Sequence, residues 1–215
     1  MQIIPSILVQ SKEEFLREIK SVQKSVDMVQ LDIADGIFVP HTTWMDPDIV
    51  KKNAKIDVEL HLMVSEPLKE LKKWATVEQV QRIYVHFESE ENLKNIMPTL
   101  HAYGWDIGIA LNPDTPTSVL DPYIKEIKAV MFMGVTPGKQ GQKLIPEVLE
   151  KMVDFISKNP NIFTAIDGAV NEETLTDIVK TGVKAICPGS AIFKNEREPR
   201  ENVKRMGEII NRLTV

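Results

Sequence analysis

Short apolar runs alternate with longer segments of helical period along this 215-residue chain. The runs are rich in Ile and Val. They read as Ile3 to Leu8, Asp27 to Asp32, Ile56 to Val64, Gln81 to Phe87, Asp106 to Leu111, Ala129 to Val135, Phe163 to Asp167 and Lys184 to Cys187. Runs this short and apolar predict strands buried on both faces. Between them, apolar residues recur every three or four positions. Lys12 to Gln23 places Phe15, Ile19 and Val22 on one helical face, and Leu144 to Ile156 does the same with Val148, Leu149, Met152 and Phe155.

The ends of these segments carry local signals. Ser11 followed by Glu14 is a capping-box pair. Asn171 ahead of Glu172 and Glu173 suits a helix N-terminus. Gly104 and Gly182 stand where a helix stops before the next strand. Eight strands alternating with about eight helices predict a parallel sheet with right-handed crossovers. Closed on itself, that sheet is an α/β fold, the (β/α)₈ TIM barrel, here a single domain over residues 1–215 and near the short end for the fold. The rival is an open doubly wound sheet, which calls for a glycine-rich turn after the first strand. Val9-Gln10-Ser11-Lys12 contains no Gly, so the barrel is favoured.

A barrel gathers functional groups at the C-terminal ends of its strands. In order, those ends give Ser6, Asp32, His61, His86 with Glu88, Asn112, the segment from Thr136 to Gln142, Asp167, and Gly189-Ser190. Asp32 and Asp167 both end apolar runs, and each is followed closely by Gly. Two carboxylates at strand ends, far apart in sequence, are what a proton-transfer site needs. An Asp before Gly is also an ordinary turn, and singly each reads as a turn residue about as often as a catalyst. His61 alone reads as a core histidine, and His41 and His101 as loop or surface residues. Met131 and Met133 read as core. If Asp32 and His61 face the barrel mouth, Gln30 and Glu59 lie one layer deeper on the same strand faces. An acid there is expensive unless paired. The Gly-bearing segment Gly138-Lys139-Gln140-Gly141 predicts a lid whose amides meet a phosphate. Gly189-Ser190 follows the eighth strand, where such barrels commonly hold phosphates.

Composition narrows the partners. A net charge of −5 argues against nucleic acid, which usually leaves a basic footprint. Cys187 is the one cysteine, so no internal disulfide framework exists, which fits a reducing cytoplasm. Beside Pro188 it reads as a buried strand residue rather than a nucleophile. No stretch is apolar enough to span a bilayer, and the N-terminus does not read as a signal peptide.

Several blocks together resemble the ribulose-phosphate 3-epimerase family. They are Pro5-Ser6-Ile7-Leu8, Leu31-Asp32 through Asp35-Gly36-Ile37-Phe38-Val39-Pro40, His61-Leu62-Met63, Val135-Thr136-Pro137-Gly138 with Gly141-Gln142, Asp167-Gly168, and Gly189-Ser190-Ala191-Ile192-Phe193. They occur in family order and span nearly the whole chain. The resemblance implies a (β/α)₈ barrel that inverts carbon 3 of a ketopentose phosphate, D-ribulose 5-phosphate giving D-xylulose 5-phosphate. It implies Asp32 and Asp167 as the acid/base pair, with Asp32, His61 and Asp167 holding a divalent metal such as Zn, Fe(II), Mn or Co. It further implies substrate contacts from Ser6, His61, Gly138, Lys139, Gln140, Gly141, Gly168, Ala169, Gly189 and Ser190, and a homo-oligomer.

The pattern is broken at a sensitive point. The family usually has His, a fourth metal ligand, where this chain has Gln30, and an amide oxygen is a far poorer ligand for zinc or ferrous iron. The metal is then weaker, different or absent. Milder departures are Glu59 for Asp, Ala34 for Met, His41 for Asn, Lys139-Gln140 for Phe-Gly and Ala169 for Gly. Alternative readings are an epimerase of a six-carbon ketose phosphate and a non-catalytic sugar-phosphate-binding paralogue, the latter motivated by Gln30. A lyase or decarboxylase barrel would usually carry a Lys at a strand tip, and no tip here bears one.

Overall fold

The computed structural model describes residues 1–89, 91–138 and 142–214. All its strands are parallel and belong to one sheet: β1 (Gln2–Ile3), β2 (Ser6–Ile7), β3 (Met28–Ala34), β4 (Asp57–Met63), β5 (Val80–His86), β6 (Asp106–Leu111), β7 (Ala129–Met133), β8 (Phe163–Asp167) and β9 (Ala185–Cys187). Their order is β1-β9-β8-β7-β6-β5-β4-β3-β2, so the two ends of the sheet are β1 and β2, which are neighbours in the chain. β1 pairs with β9 and β2 with β3. The Ile4 N–H donates to Ile186 O at 2.9 Å and the Ser6 N–H to Pro188 O at 3.1 Å, while Pro5 O accepts from the Gln30 N–H at 3.0 Å. The sheet therefore closes into the expected barrel. The first strand, read as continuous from Ile3 to Leu8, is instead divided at Ile4-Pro5. Proline has no N–H for a ladder and marks the switch between neighbours.

The helices are α1 (Lys12–Val22), α2 (Pro47–Asn53), α3 (Pro67–Leu71), α4 (Leu93–Ala102), α5 (Pro146–Lys158), α6 (Leu175–Lys180), α7 (Ser190–Phe193) and α8 (Pro199–Leu213). The crossover from β6 to β7 contains only a 3₁₀ turn at Thr117–Leu120. Pro113, Pro116 and Pro122 fall in that stretch and prevent a longer helix. Ser11 caps α1 by accepting from the Glu14 N–H at 3.2 Å, and the Glu14 carboxylate accepts in return from the Gln10 N–H at 2.7 Å. α5 starts two residues later than the periodicity predicts, because Pro146 takes the first helical position and keeps its predecessor extended. Asn171 Oδ1 accepts from the Glu173 and Thr174 N–H groups ahead of α6. Gly104 and Gly182 both follow helices at positive φ, as their placement predicts. Among the described residues, no helix is long and apolar enough to cross a membrane.

Two apolar layers hold the barrel. The outer one packs the helices on the sheet and includes Phe15, Ile19, Val22, Val148, Met152 and Phe155. Each such buried side chain contributes about 1.5–3 kcal/mol relative to exposure. The inner one fills the barrel with residues that include Ile4, Tyr84, Met131, Met133, Ala165 and Cys187. The rest of the interior is polar, and Gln30, Asp32, Glu59, His61, His86 and Asp167 are all buried there.

Candidate active site

The ladder between β3 and β4 sets Asp32 beside His61 and Gln30 beside Glu59. Closure of the barrel brings in Asp167 at the end of β8. His61 Nδ1 lies 3.0 Å from Asp32 Oδ1 and 3.1 Å from Asp167 Oδ2. The donor atoms of Asp32, His61 and Asp167 all lie within 4.8 Å of one another. Burial disfavours a charged His61, but hydrogen bonds and attraction from Asp167 and Asp32 overcome it and push its pKa up to about 10. Burial, together with the neighbouring Asp167 charge, pushes Asp32 up against the opposing pull of His61 and Gln30. Without a metal, an imidazolium thus balances a pair of carboxylates in a buried pocket.

Gln30 does not stay a layer below. Its long side chain carries the amide into the same cluster, where Nε2 donates to Asp32 Oδ1 at 2.7 Å and to Asp167 Oδ2 at 2.8 Å. Among the described residues, the buried Gln30 Oε1 has no hydrogen-bond partner. Turning the amide over would exchange the two atoms and point a carbonyl oxygen, a hard donor, at the cluster. Two carboxylates, one imidazole and this orphaned oxygen fit a divalent ion, with Gln30 as its weakest donor.

Glu59 does lie in the deeper layer. It is fully buried and accepts from Arg82 Nη1 at 2.9 Å, with the Cys187 sulfur 3.8 Å from its other oxygen. Burial pushes its pKa up to about 7 against the pull of Arg82. Its carboxylate is therefore committed to the ion pair rather than to a metal. Ala34, where a larger residue was expected, packs with Phe38, Val39 and Met63. Asp35, in the same block, clamps a loop. Burial pushes its pKa up, but hydrogen bonds from Ser65, Phe38 and Ile37 more than reverse this.

His86 and Glu88, strand-end residues with no role assigned by the sequence, extend the cluster outward. His61 Nε2 lies 2.9 Å from His86 Nε2, and His86 Nδ1 lies 3.3 Å from Glu88 Oε2. Burial is the main cause that pushes His86 down to about 4, and it is neutral. His101 is exposed on α4, and His41 is half-buried in the loop after β3.

A cavity of about 500 Å³ opens over Asp32 and Asp167. Ser6, Gly168, Ala169, Gly189 and Ser190, which the resemblance implies as substrate contacts, line it. Gly168 and Ala169 have φ of +95° and +54°, so Ala169 occupies a backbone region that glycine fills more easily. Gly138 packs against Val39 and Pro40 from the loop after β3. Lys139, Gln140 and Gly141 lie outside the described residues. Glu18, Asn171 and Lys194 also line the cavity, and the sequence reading missed them as site residues. Glu18 belongs to α1 and Lys194 follows α7, away from any strand end. The only hint was that Lys194 directly follows the Gly189 to Phe193 block.

The fold and site together define a (β/α)₈ barrel with a carboxylate pair, a histidine and a ligand cavity at the C-terminal mouth. The profile described as the Ribulose-phosphate 3 epimerase family matches residues 2–193. A ribulose-phosphate 3-epimerase of Bacillus subtilis (strain 168) is 30% identical over 202 residues, covering 90% of this chain and 92% of the relative. The ribulose-phosphate 3-epimerase, cytoplasmic isoform, of Oryza sativa subsp. japonica is 30% identical over 219 residues, covering 99% and 92%. The chain belongs to the ribulose-phosphate 3-epimerase family, and it is an isomerase of the carbohydrate epimerase class. Among solved structures, 3-hexulose-6-phosphate synthase from Salmonella typhimurium superposes with a TM-score of 0.77 at 12% identity, covering 99% of this chain and 100% of the other. Orotidine 5'-monophosphate decarboxylase from Sulfolobus solfataricus gives 0.67 at 9% identity, covering 100% and 99%. These two likenesses concern the fold.

Proposed function

We propose that this chain, acting as one domain over residues 1–215, interconverts D-ribulose 5-phosphate and D-xylulose 5-phosphate by inversion at carbon 3. The observation that carries the reading is the meeting of Asp32 and Asp167 around His61 at the floor of the cavity. Carbon 3 adjoins the ketone, so its proton is acidic and its loss gives an enediolate. In this reading the carboxylate of one aspartate takes the proton from one face. The carboxyl of the other returns a proton to the opposite face, and the two exchange roles with direction. Asp32, His61 and Asp167, with Gln30 Oε1 as a weaker fourth donor, would hold a divalent ion, which when bound stabilises negative charge on the neighbouring substrate oxygen.

The phosphate is assigned to the loops carrying Gly168-Ala169 and Gly189-Ser190, with Ser6 and His61 against the sugar. The low-dielectric floor favours the chemistry, because charges and dipoles there act more strongly than in water. The relatives' names support a five-carbon substrate over a six-carbon one, and we assign the reaction to the cytoplasm. The test is formation of D-xylulose 5-phosphate from D-ribulose 5-phosphate by the wild type, Asp32→Asn and Asp167→Asn. The reading requires turnover by the wild type and a loss of about 10²–10⁴-fold in each folded variant. Retained turnover in either variant contradicts it.

A further inference from the structure

We propose that Lys194 is a specificity-determining residue that supplies the positive charge for the substrate phosphate, with Glu18 drawing its ammonium to the cavity wall; this rests on the sugar-phosphate reading above. The need for a cation follows from the lining of the cavity. Asp32, Asp167 and Glu18 all line it, and among the described residues Lys194 is the one basic side chain that does. A phosphate monoester carries a charge of about −1.5 to −2 at neutral pH. The loops at Gly168-Ala169 and Gly189-Ser190 offer N–H dipoles but no full charge. The protein as a whole, at −5, adds no attraction. A dianion entering here meets carboxylates unless Lys194 answers it.

The backbone places Lys194 beside the loop assigned to the phosphate. Its N–H donates to Ser190 O at 2.9 Å, and the Phe193 N–H donates to Gly189 O at 3.1 Å. This turn, α7, is tied to α8 by the buried Asn202, whose Nδ2 donates to Ile192 O at 2.9 Å. The lysine stem therefore starts from a fixed point, and its exposed side chain keeps the reach of four carbons.

Glu18 approaches from α1 and is half-buried. Its carboxylate feels the Lys194 charge, yet among the described residues neither side chain closes an ion pair or a hydrogen bond. Arg17, the other cation that acts on Glu18, does not line the cavity. The Lys194 ammonium is thus attracted to the wall without being committed to it. A phosphate dianion, with twice the charge of a carboxylate, draws it more strongly.

A lysine with only a structural role would affect phosphate indirectly, by masking the charge of Glu18. The two roles separate in a Glu18→Gln background, where no charge is left to mask.

The experiment is ³¹P NMR titration with inorganic phosphate, alongside steady-state kinetics with D-ribulose 5-phosphate. The proteins are wild type, Lys194→Gln, Lys194→Arg, Glu18→Gln and the variant carrying both Glu18→Gln and Lys194→Gln. Phosphate should bind Lys194→Gln about tenfold more weakly, the scale of one charge-assisted hydrogen bond. Lys194→Arg should keep most of the affinity, and Glu18→Gln should bind more tightly than wild type. Adding Lys194→Gln to Glu18→Gln should again cost about tenfold. The KM for D-ribulose 5-phosphate should rise in Lys194→Gln by a similar factor, with a smaller fall in kcat. Unchanged phosphate affinity in Lys194→Gln overturns the proposal, and so does a loss that vanishes in the Glu18→Gln background. Phosphate binding is read without turnover. Binding that depends on Lys194 in a protein that leaves D-ribulose 5-phosphate unchanged supports the cation and contradicts the epimerase reading. Turnover by a protein whose phosphate binding is indifferent to Lys194 overturns this proposal alone.

Discussion

Gln30 and Asp167 stand 137 positions apart, yet the Gln30 amide donates to Asp167 Oδ2 at 2.8 Å. The same nitrogen reaches Asp32 Oδ1 at 2.7 Å. A neutral side chain therefore ties together two buried acids that His61 also bridges.

Removing that amide exposes its contribution. Gln30→Leu leaves two buried acceptors short of a donor, a change that costs about 1–3 kcal/mol. Urea denaturation in the presence of chelator is expected to show a lower midpoint for the variant, and an unchanged midpoint contradicts the bridging role. Gln30→His replaces a poor ligand by a good one and is expected to tighten zinc binding by at least about tenfold. Chelator competition measures it, and equal or weaker binding argues against Gln30 facing the metal position.

The buried pair of Glu59 and Arg82 makes a stability prediction. Arg82→Met leaves the Glu59 carboxylate buried without its partner and is expected to destabilise the fold by about 3–5 kcal/mol. Adding Glu59→Leu removes the stranded acid and should recover much of the loss. Equilibrium unfolding of both variants checks the order, and a double variant no more stable than Arg82→Met contradicts it.

Gly189 is a place where one methyl group should matter. A Cβ there would lie 2.8 Å from Ser6 Oγ, so Ser6 must shift. Gly189→Ala is expected to lower kcat/KM by up to about 10²-fold, the scale of a misplacement near 1 Å, with little change in thermal unfolding. Unchanged kinetics would remove Ser6 and Gly189 from the substrate contacts.

Glu18 gives a pH dependence with a definite sign. Burial is the largest cause that raises its pKa from 4.5 to about 7, against pulls from Arg17 and Lys194. Between those values the folded state binds more protons than the unfolded one, so this group makes stability fall as pH rises from 4.5 to 7. Glu18→Gln removes that slope. Unfolding midpoints of wild type and variant across the window should converge toward the acid end and separate in favour of the variant toward pH 7. A constant difference contradicts the raised pKa.

The strands and the ring of polar tips were legible because burial on both faces writes an unbroken Ile/Val run, and because the fold dictates where side chains emerge. Asp32, His61 and Asp167 could be singled out on that ground, and the structure brings them together. Alternation misplaced Gln30 by a layer, since period two fixes where a Cβ points and not how far a long side chain reaches. It placed Glu59 correctly and showed that it needed a partner, but Arg82 could not be named, because that contact depends on the register of β4 against β5. The division of the first strand at Pro5 was missed for a similar reason, since a single run gives no sign that its halves pair with different neighbours. Glu18 and Lys194 were invisible to a reading confined to strand ends.

The most direct test of the account is proton NMR of D-ribulose 5-phosphate in deuterated buffer with the wild type, with added divalent metal and with chelator. The account predicts loss of the carbon-3 proton signal as D-xylulose 5-phosphate forms, faster with metal than with chelator, and no such loss with Asp32→Asn or Asp167→Asn. A carbon-3 signal that persists under every condition with folded wild-type protein would contradict it.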